Sequence, residues 1–374
     1  MADIIDIFLP VSGLSIAYAL LMFIGFFCFM FIVARFLPGI KGTGEPLKDG
    51  SRKEYKLSGL LSFLLTTIIT LIVFIVKLID FPNLSFSIIA QHFWSLLIVA
   101  NVFALIWSIL IFIFGRIKTK TKRKGFKGFL LDFWFGPELN PTLWGVDLKM
   151  FFYQPSLIGL SLINWSFAFL QYENLGRILP QMWMYQAFWW LYLLTHYIME
   201  EFMLSTWDVM SENFGFMLVW GDTVYVPFLY SIGGWFIVFQ EQSFNYTSIA
   251  ILTLLFFFVL WIFRASNYQK YKFKKDPNTK IFGKPAQTLK GKLLISSFWG
   301  IGRKLNYTGE ILTYLVIILT TGLYSATPII LPASLLILLT HRAWRDEKRC
   351  RKKYGELWDE YCTIAKFKMF PYIY

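Results

Sequence analysis

The chain has 374 residues, of which 56% are hydrophobic, 20% aromatic and 16% charged. Soluble domains are closer to half apolar and about a quarter charged, so the composition excludes an ordinary soluble enzyme and reads as a polytopic membrane protein. The formal charge of +13 would suggest nucleic acid in a soluble protein; in a membrane chain Lys and Arg gather in cytoplasmic loops instead, and no nucleic-acid partner is expected.

Windows of about 18 or more apolar residues read as transmembrane helices. The first, Leu14 to Val33, is too long for a signal-peptide core and has no small-residue cleavage site behind it, so it is expected to stay as the first span. Apolar segments then fall near 58–79, 87–114, 151–170, 180–199, 222–240 and 246–263. A last stretch, 311–340, is interrupted by Gly322, Pro328 and Pro332 and reads as a hairpin of two short helices. Nine spans result. The stretch "FMLSTWDVMSENFGFMLVWGD" (202–222) is a candidate tenth, and nine and ten both stand.

Between these segments, 35–56, 115–127, 264–304 and 341–353 are basic, whereas 80–86, 171–179 and 241–247 carry almost no Lys or Arg. That alternation sets every basic loop and the C-terminus on the cytoplasmic side. Cys28, Cys350 and Cys362 give no disulfide framework, and with neither CxxC nor HExxH present no metal site is expected.

An ionisable group at membrane depth is expensive and is a functional candidate by default. Glu200 and Glu201 close the aromatic helix "FWWLYLLTHYIMEE", with His196 one turn earlier and Asp208 and Asp222 just beyond. Either the two glutamates face a substrate or they mark the end of a helix.

The densest charge follows the hairpin, in "HRAWRDEKRCRKKYGELWDEYC" (341–362). On a helix Arg342, Arg345 or Asp346, Arg349 and Lys353 share one face. Such a stripe suits the phosphates of a nucleotide and equally suits anionic lipid headgroups. The preceding loop favours a nucleotide: "NYQKYKFKKDP" supplies Lys270 and Lys274 one turn apart, and "FWGIGRKLNYTGE" adds Trp299, Arg303, Asn306 and Tyr307. Neither GxGxxG nor a P-loop occurs, so such a nucleotide would be held without a Rossmann domain.

At these residues the chain resembles the sterol reductase family, to which the C-terminal domain of the lamin B receptor also belongs. The family's closing pattern stands here as His341, Arg342, Arg345, Asp346, Glu347, Cys350, Lys353, Tyr354, Gly355, Trp358, Tyr361 and Cys362, then "PYIY" at 371–374. Further matches are "LPGIKGTGEPLKDG" (37–50), "GPELNP" (136–141), "DLKMF" (147–151) and "FGFMLVWGDTVYVPFLYS" (214–231).

The resemblance implies an all-α polytopic membrane enzyme of about ten transmembrane helices that reduces a sterol carbon–carbon double bond with NADPH. It implies one integral membrane domain over 1–374, with N-terminal helices in 1–240 and a cytoplasmic-side cofactor pocket in 241–374. Lys270, Lys274, Trp299, Arg303, Asn306, Tyr307, Arg342, Asp346, Cys350, Lys353 and Tyr354 would form that pocket. Lys304 departs from the family's usual His, Glu310 from its usual Asp, and Lys274 from its usual Arg. An unactivated alkene accepts hydride only once protonated, so a positioned acid is needed. Asp346, Tyr192, Tyr361, Glu200 and Glu201 are the candidates; Asp346, among arginines, is expected to be ionised and to orient rather than donate.

"EEFMLSTWDVMSENFGFML" looks closer to reductases acting at carbon 24, whereas "WGDTVYVPFLYS" looks closer to those acting at carbons 7 and 14; the side-chain position is favoured. The partners are then a sterol and membrane lipids, with no metal and no set oligomeric state. The membrane would be the endoplasmic reticulum in a eukaryote or the inner membrane in a bacterium. Two other readings remain. "GRKLNYTGE" also resembles the turn of isoprenylcysteine-type methyltransferases that use S-adenosylmethionine, and a non-catalytic sterol-binding scaffold would keep the fold. Intact Arg342, Asp346 and Tyr354 argue against the scaffold.

Overall fold

Lipid offers no partner to backbone N–H and C=O groups, so spanning segments must satisfy them internally, and the chain is mostly helical. The computed structural model describes residues 11–44, 50–79, 85–118, 123–322 and 324–374. Residues 45–49 of the first family motif, 80–84 of a polar linker and 119–122 of a basic loop lie outside the described residues. Among the described residues five helices are long and apolar enough to cross a membrane. The chain divides into two compact units, residues 1–241 and 242–374.

In the first unit α1 (Gly13–Phe36), α2 (Gly59–Ile79) and α3 (Phe93–Lys118) are the long apolar helices, and Leu21, Ile72 and Ile106 expose bare hydrocarbon. A short, largely apolar helix, α4 (Gly125–Phe135), precedes α5 (Leu148–Leu175), the most buried helix of the unit. Asp147 starts α5 by accepting from the Met150 N–H at 2.9 Å, and Gly176 ends it in the left-handed region. Next comes α6 (Pro180–Ile198), with Pro180 at the first turn, where its missing N–H has no cost. Hydroxyls inside α2 are satisfied locally: Ser62, Thr66 and Thr70 each donate to the carbonyl four residues back, at 2.9, 2.7 and 2.9 Å.

The stretch 202–222 is not a tenth helix. It holds a 3-10 turn (Glu200–Ser205), a four-residue helix (Trp207–Met210) and a break at 211–215 before α7 (Phe216–Trp220) begins. From α7 the chain widens into a π-helix, Gly221–Leu229, and then α8 (Ile232–Val238). The break is a packing device. Gly136 (φ 90°) lies so close to Phe214 that a Cβ would come within 2.2 Å of its carbonyl oxygen. The Phe214 N–H donates to the Glu138 carbonyl at 2.9 Å, and the Asn213 amide to Gly136 O at 3.0 Å. "GPELNP" and "FGF" are thus two halves of one clamp. The all-helical expectation also omits hairpins: β1 (Ile40–Thr43) pairs antiparallel with β2 (Glu54–Leu57), and β3 (Thr142–Leu143) with β4 (Val146–Asp147).

The second unit starts with α9 (Tyr246–Lys275), N-capped by Asn245. The region 264–275, expected as loop, is its last three turns. Two small hairpins follow, β5 (Lys280–Ile281) with β6 (Lys284–Pro285) and β7 (Thr288–Leu289) with β8 (Leu293–Leu294). Then α10 (Leu305–Leu319) packs tightly on α9, for a Cβ on Gly309 would meet Phe263 N at 2.7 Å. The hairpin break falls at 320–329, but the helix after it is not short. α11 (Ile330–Tyr354) carries Pro332 harmlessly in its first turn and runs through the charged block, where Arg, Lys and Glu are good helix formers. α12 (Glu356–Ile364) closes the unit after Gly355.

Gly136→Ala should lower stability by roughly 1–3 kcal/mol, because its backbone conformation is nearly glycine-only and the added methyl has no room. Thermal unfolding in detergent reads this, and an unchanged midpoint would contradict the clamp.

Candidate functional site

In the second unit, residues 297–304 form a turn against the charged half of α11. The buried indole of Trp299 donates to Ser266 O of α9 at 3.0 Å. Over its ring lies the half-buried Lys270, with Nζ 4.8 Å from the centroid. The next two basic residues grip two consecutive carboxylates: Arg303 Nε bonds Glu347 Oε1 at 2.6 Å, and Lys304 Nζ pairs with Asp346 Oδ2. All four side chains are at least four-fifths buried. Arg349 adds a contact of 3.2 Å to Asp346 Oδ1, and Lys368 one of 3.6 Å to Glu347. Burial works against the charge of Lys304, but the Asp346 carboxylate outweighs it and raises the lysine above its ordinary value.

Other expected pocket residues fall on the same elements. Lys274 follows Lys270 by one turn of α9; Arg342, Cys350 and Lys353 lie on α11. Asn306 and Tyr307 open α10 rather than a turn. The Asn306 amide donates to Asn267 Oδ1 at 3.1 Å, while its own oxygen and that of Gln269 are buried without a partner. Tyr354 stacks on Trp358 with 6.3 Å between centroids and has Lys353 Nζ 5.0 Å above its ring. Cys350 packs against the cluster of Trp358, Tyr361 and Ala365.

Two expected site residues make bonds that hold the unit together. Beyond Glu347, Arg303 donates to the carbonyls of Ala365 at 2.6 Å and Lys366 at 3.1 Å, so it ties down the C-terminal tail. The Tyr361 hydroxyl donates to Trp299 O at 2.9 Å, and burial raises its pKa, which makes it a weaker acid. A set of cations, an indole plane and two unpartnered acceptor oxygens fits a phosphate-bearing ligand that also carries amide or hydroxyl donors.

The remaining candidates lie in the first unit. Tyr192 is buried on α6, its ring 5.7 Å from that of Trp189. Glu200 accepts from the Gly59 N–H with both oxygens, at 3.2 and 3.0 Å, and so caps α2 from 141 residues away. Burial pushes its pKa up to about 7, against the pull of that N–H. Glu201 is half-buried beside it. An apolar cavity of about 490 Å3 lies among α2, α5 and α6, lined by Thr67, Thr70, Phe74, Trp165, Phe169 and Trp183, a size that suits a small rigid ligand.

Two residues of the structure escape sequence reasoning. Lys149, fully buried at the start of α5, donates to the carbonyls of Asp208, Val209 and Glu212 at 2.9, 3.2 and 2.6 Å; a lysine in the first turn of an apolar helix is the available signal. Lys304 stands in the sequence only as a departure from the family pattern, though its place beside Arg303 mirrors that of Asp346 beside Glu347. Among the described residues no group of three or more His, Cys, Asp or Glu is placed to hold a metal.

The family model described as "Ergosterol biosynthesis ERG4/ERG24 family" matches residues 6–374. The chain is 35% identical over 373 residues to a protein from Arabidopsis thaliana named Delta(14)-sterol reductase, covering 99% of each. It is 34% identical to a Delta(14)-sterol reductase of Methylotuvimicrobium alcaliphilum, covering 90% of this chain and 79% of the relative. It is 30% identical to the 7-dehydrocholesterol reductase of Xenopus laevis, with 92% and 77% covered.

Glu200 gives a pH test. With its folded pKa at about 7 against 4.5 ordinarily, the folded chain keeps a proton that the unfolded chain has lost between those values. Its contribution therefore makes stability fall as pH rises from about 5 to about 7. Glu200→Gln should flatten that slope, by about 3 kcal/mol at most; thermal midpoints across that range that keep the wild-type slope would show that Glu200 titrates normally.

Proposed function

The chain belongs to the ergosterol biosynthesis ERG4/ERG24 family, and we propose that it reduces the carbon-14 double bond of a sterol with NADPH. The observation that carries this reading is the Asp346 carboxylate, fixed beside cations and the Trp299 plane on the motif-bearing helix α11. The relatives' names support a ring position, carbon 14 ahead of carbon 7, over the side-chain position favoured by residues 200–218. Much of that stretch has a scaffolding task instead: Glu200 caps α2, and Glu212 accepts the Trp207 indole N–H at 2.5 Å. The relatives' names give no support to the methyltransferase or scaffold readings.

Bound NADPH supplies the hydride; the chain's own residues bind, orient and hold the proton. Lys270, Lys274, Arg342 and Lys353 bring positive charge to the phosphates. Trp299 and Asn306 offer a stacking plane and an acceptor, and Tyr354 closes the end of α11. Asp346, held as a carboxylate by Lys304 and Arg349, accepts and orients. Tyr361 is engaged with the Trp299 carbonyl, so the alkene's proton is assigned to Tyr192 or the Glu200–Glu201 pair in the first unit. Of these Glu200 has a pKa near operating pH, which favours proton transfer. The rigid apolar body of the sterol suits the cavity among α2, α5 and α6. With the basic segments inside, a membrane protein of about ten spans would put the cofactor site on the cytoplasmic face.

The purified protein, given NADPH and sterols unsaturated separately at carbons 7, 14 and 24, should reduce the carbon-14 substrate, with the product identified by mass spectrometry. Asp346→Asn should lose at least about 100-fold in turnover while staying folded. Reduction at carbon 24 alone would overturn the position, and near-normal turnover in Asp346→Asn would remove Asp346 from the mechanism.

A further inference from the structure

We propose that Lys304 is a positioning residue of the cofactor site: its ammonium group pins the Asp346 carboxylate and holds it as a permanent acceptor across the working pH range. This rests on reading the α11 pocket as the NADPH site.

The geometry is specific. Lys304 is 5% exposed and Asp346 8%, so the pair is screened from water and neither charge is tolerable there without the other. The two carboxylate oxygens are divided, Oδ2 to Lys304 and Oδ1 to Arg349. Arg349 is 46% exposed and contributes little through solvent. The other groups facing Asp346 and Lys304 are Lys270 from α9, Tyr307 from α10 and Cys350 from α11. Lys270 is engaged over Trp299, and Tyr307 and Cys350 are neutral at ordinary pH. Arg303 cannot substitute, since its guanidinium is held by Glu347 and by the carbonyls of Ala365 and Lys366. Lys304 is therefore the buried cation that fixes the charge of Asp346.

The choice of lysine has a consequence. A histidine at this position, as in the resembling turn, would be charged only below its own pKa, which the adjoining carboxylate lifts above the usual value near 6.5, and would release Asp346 above it. A lysine stays charged through that range. Lys304 thus keeps the carboxylate beside an incoming polyanion neutralised through neutral pH, so that the pH dependence of cofactor binding comes from other groups, among them Lys270, whose burial pulls its pKa down to about 7.

The test is a titration of the full chain in detergent with NADPH, read by tryptophan quenching from about pH 5.5 to pH 8.5, on Lys304→Arg, Lys304→His, Lys304→Gln, Asp346→Asn and the Gln/Asn double variant. The wild type and Lys304→Arg should share one pH profile, since Lys270 titrates alike in both. Lys304→His should bind near the wild-type level at the acid end and, relative to the wild type at the same pH, lose about tenfold or more as pH rises through its own titration. Its pair is present below the histidine's folded pKa and lost above it. The double variant should be no weaker than Asp346→Asn. A Lys304→His profile that follows the wild type's, or losses that add in the double variant, would overturn the proposal. A merely structural lysine would weaken binding equally at every pH. Because the readout is binding, failure to reduce any sterol would strike only the proposed reaction. Should the wild type bind no NADPH, the cofactor reading fails, and the thermal midpoints of the same variants decide the pairing: Lys304→His must destabilise on raising pH where Lys304→Arg does not. If Lys304→Gln does not fold, the Arg and His variants are enough to support the proposal or to overturn it.

Discussion

Two neighbouring cations gripping two neighbouring carboxylates, Arg303 on Glu347 and Lys304 on Asp346, hold the second unit together at its charged end. Buried ion pairs stabilise only when their geometry is good and further hydrogen bonds satisfy what remains, and here the surroundings supply those bonds. Arg303 also binds the carbonyls of Ala365 and Lys366, and its N–H donates to Phe367 O at 2.9 Å. Thr308 donates to Met369 O, and Tyr361 to Trp299 O. The tail is thereby folded against the 297–304 turn, which places Trp299 and Lys270 beside α11. Breaking either pair would leave a buried charge, and loss of the Arg303 side chain would also strip the tail of two bonds.

Polarity serves a different end in the first unit. Lys149 satisfies three carbonyls of the 207–212 segment, Glu200 caps α2, and the hydroxyls of Ser62, Thr66 and Thr70 bond back to their own helix. Each of these polar groups is satisfied by backbone: Lys149 and Glu200 meet groups of other segments, and the hydroxyls share carbonyls already bonded within α2. Ionisable residues in apolar sequence are functional candidates by default, yet a cap and a candidate acid can be the same residue. Glu200 is both, since the burial that makes it a cap also raises its pKa.

Much of the helical layout is legible in the sequence, because long apolar runs and their basic borders are written directly in composition. The interruption at Gly322 is legible too, but treating charge as a stop cuts the helix beyond it short; Arg and Lys continue a helix readily. The 202–222 stretch misleads in the opposite sense: its hydropathy suits a span, whereas the clamp between Gly136 and Phe214 requires a break that only tertiary contact reveals. The π-helix at 221–229 is a matter of hydrogen-bond register, which hydropathy does not encode. In the site, the motif residues of α11 are found because they recur as a pattern. The commitment of Arg303 to the tail, of the Tyr361 hydroxyl to a carbonyl and of Lys304 to Asp346 depends on partners 42 to 63 residues away, and spacing alone cannot name them.

The most direct measurement is hydrogen–deuterium exchange of the full chain with and without NADPH, resolved to peptides. Protection confined to 264–275, 297–310 and 341–362, absent with S-adenosylmethionine, is the expected result. No protection in those segments, or protection elicited there by S-adenosylmethionine and not by NADPH, would contradict the assignment of the charged end of α11 as the nicotinamide cofactor site.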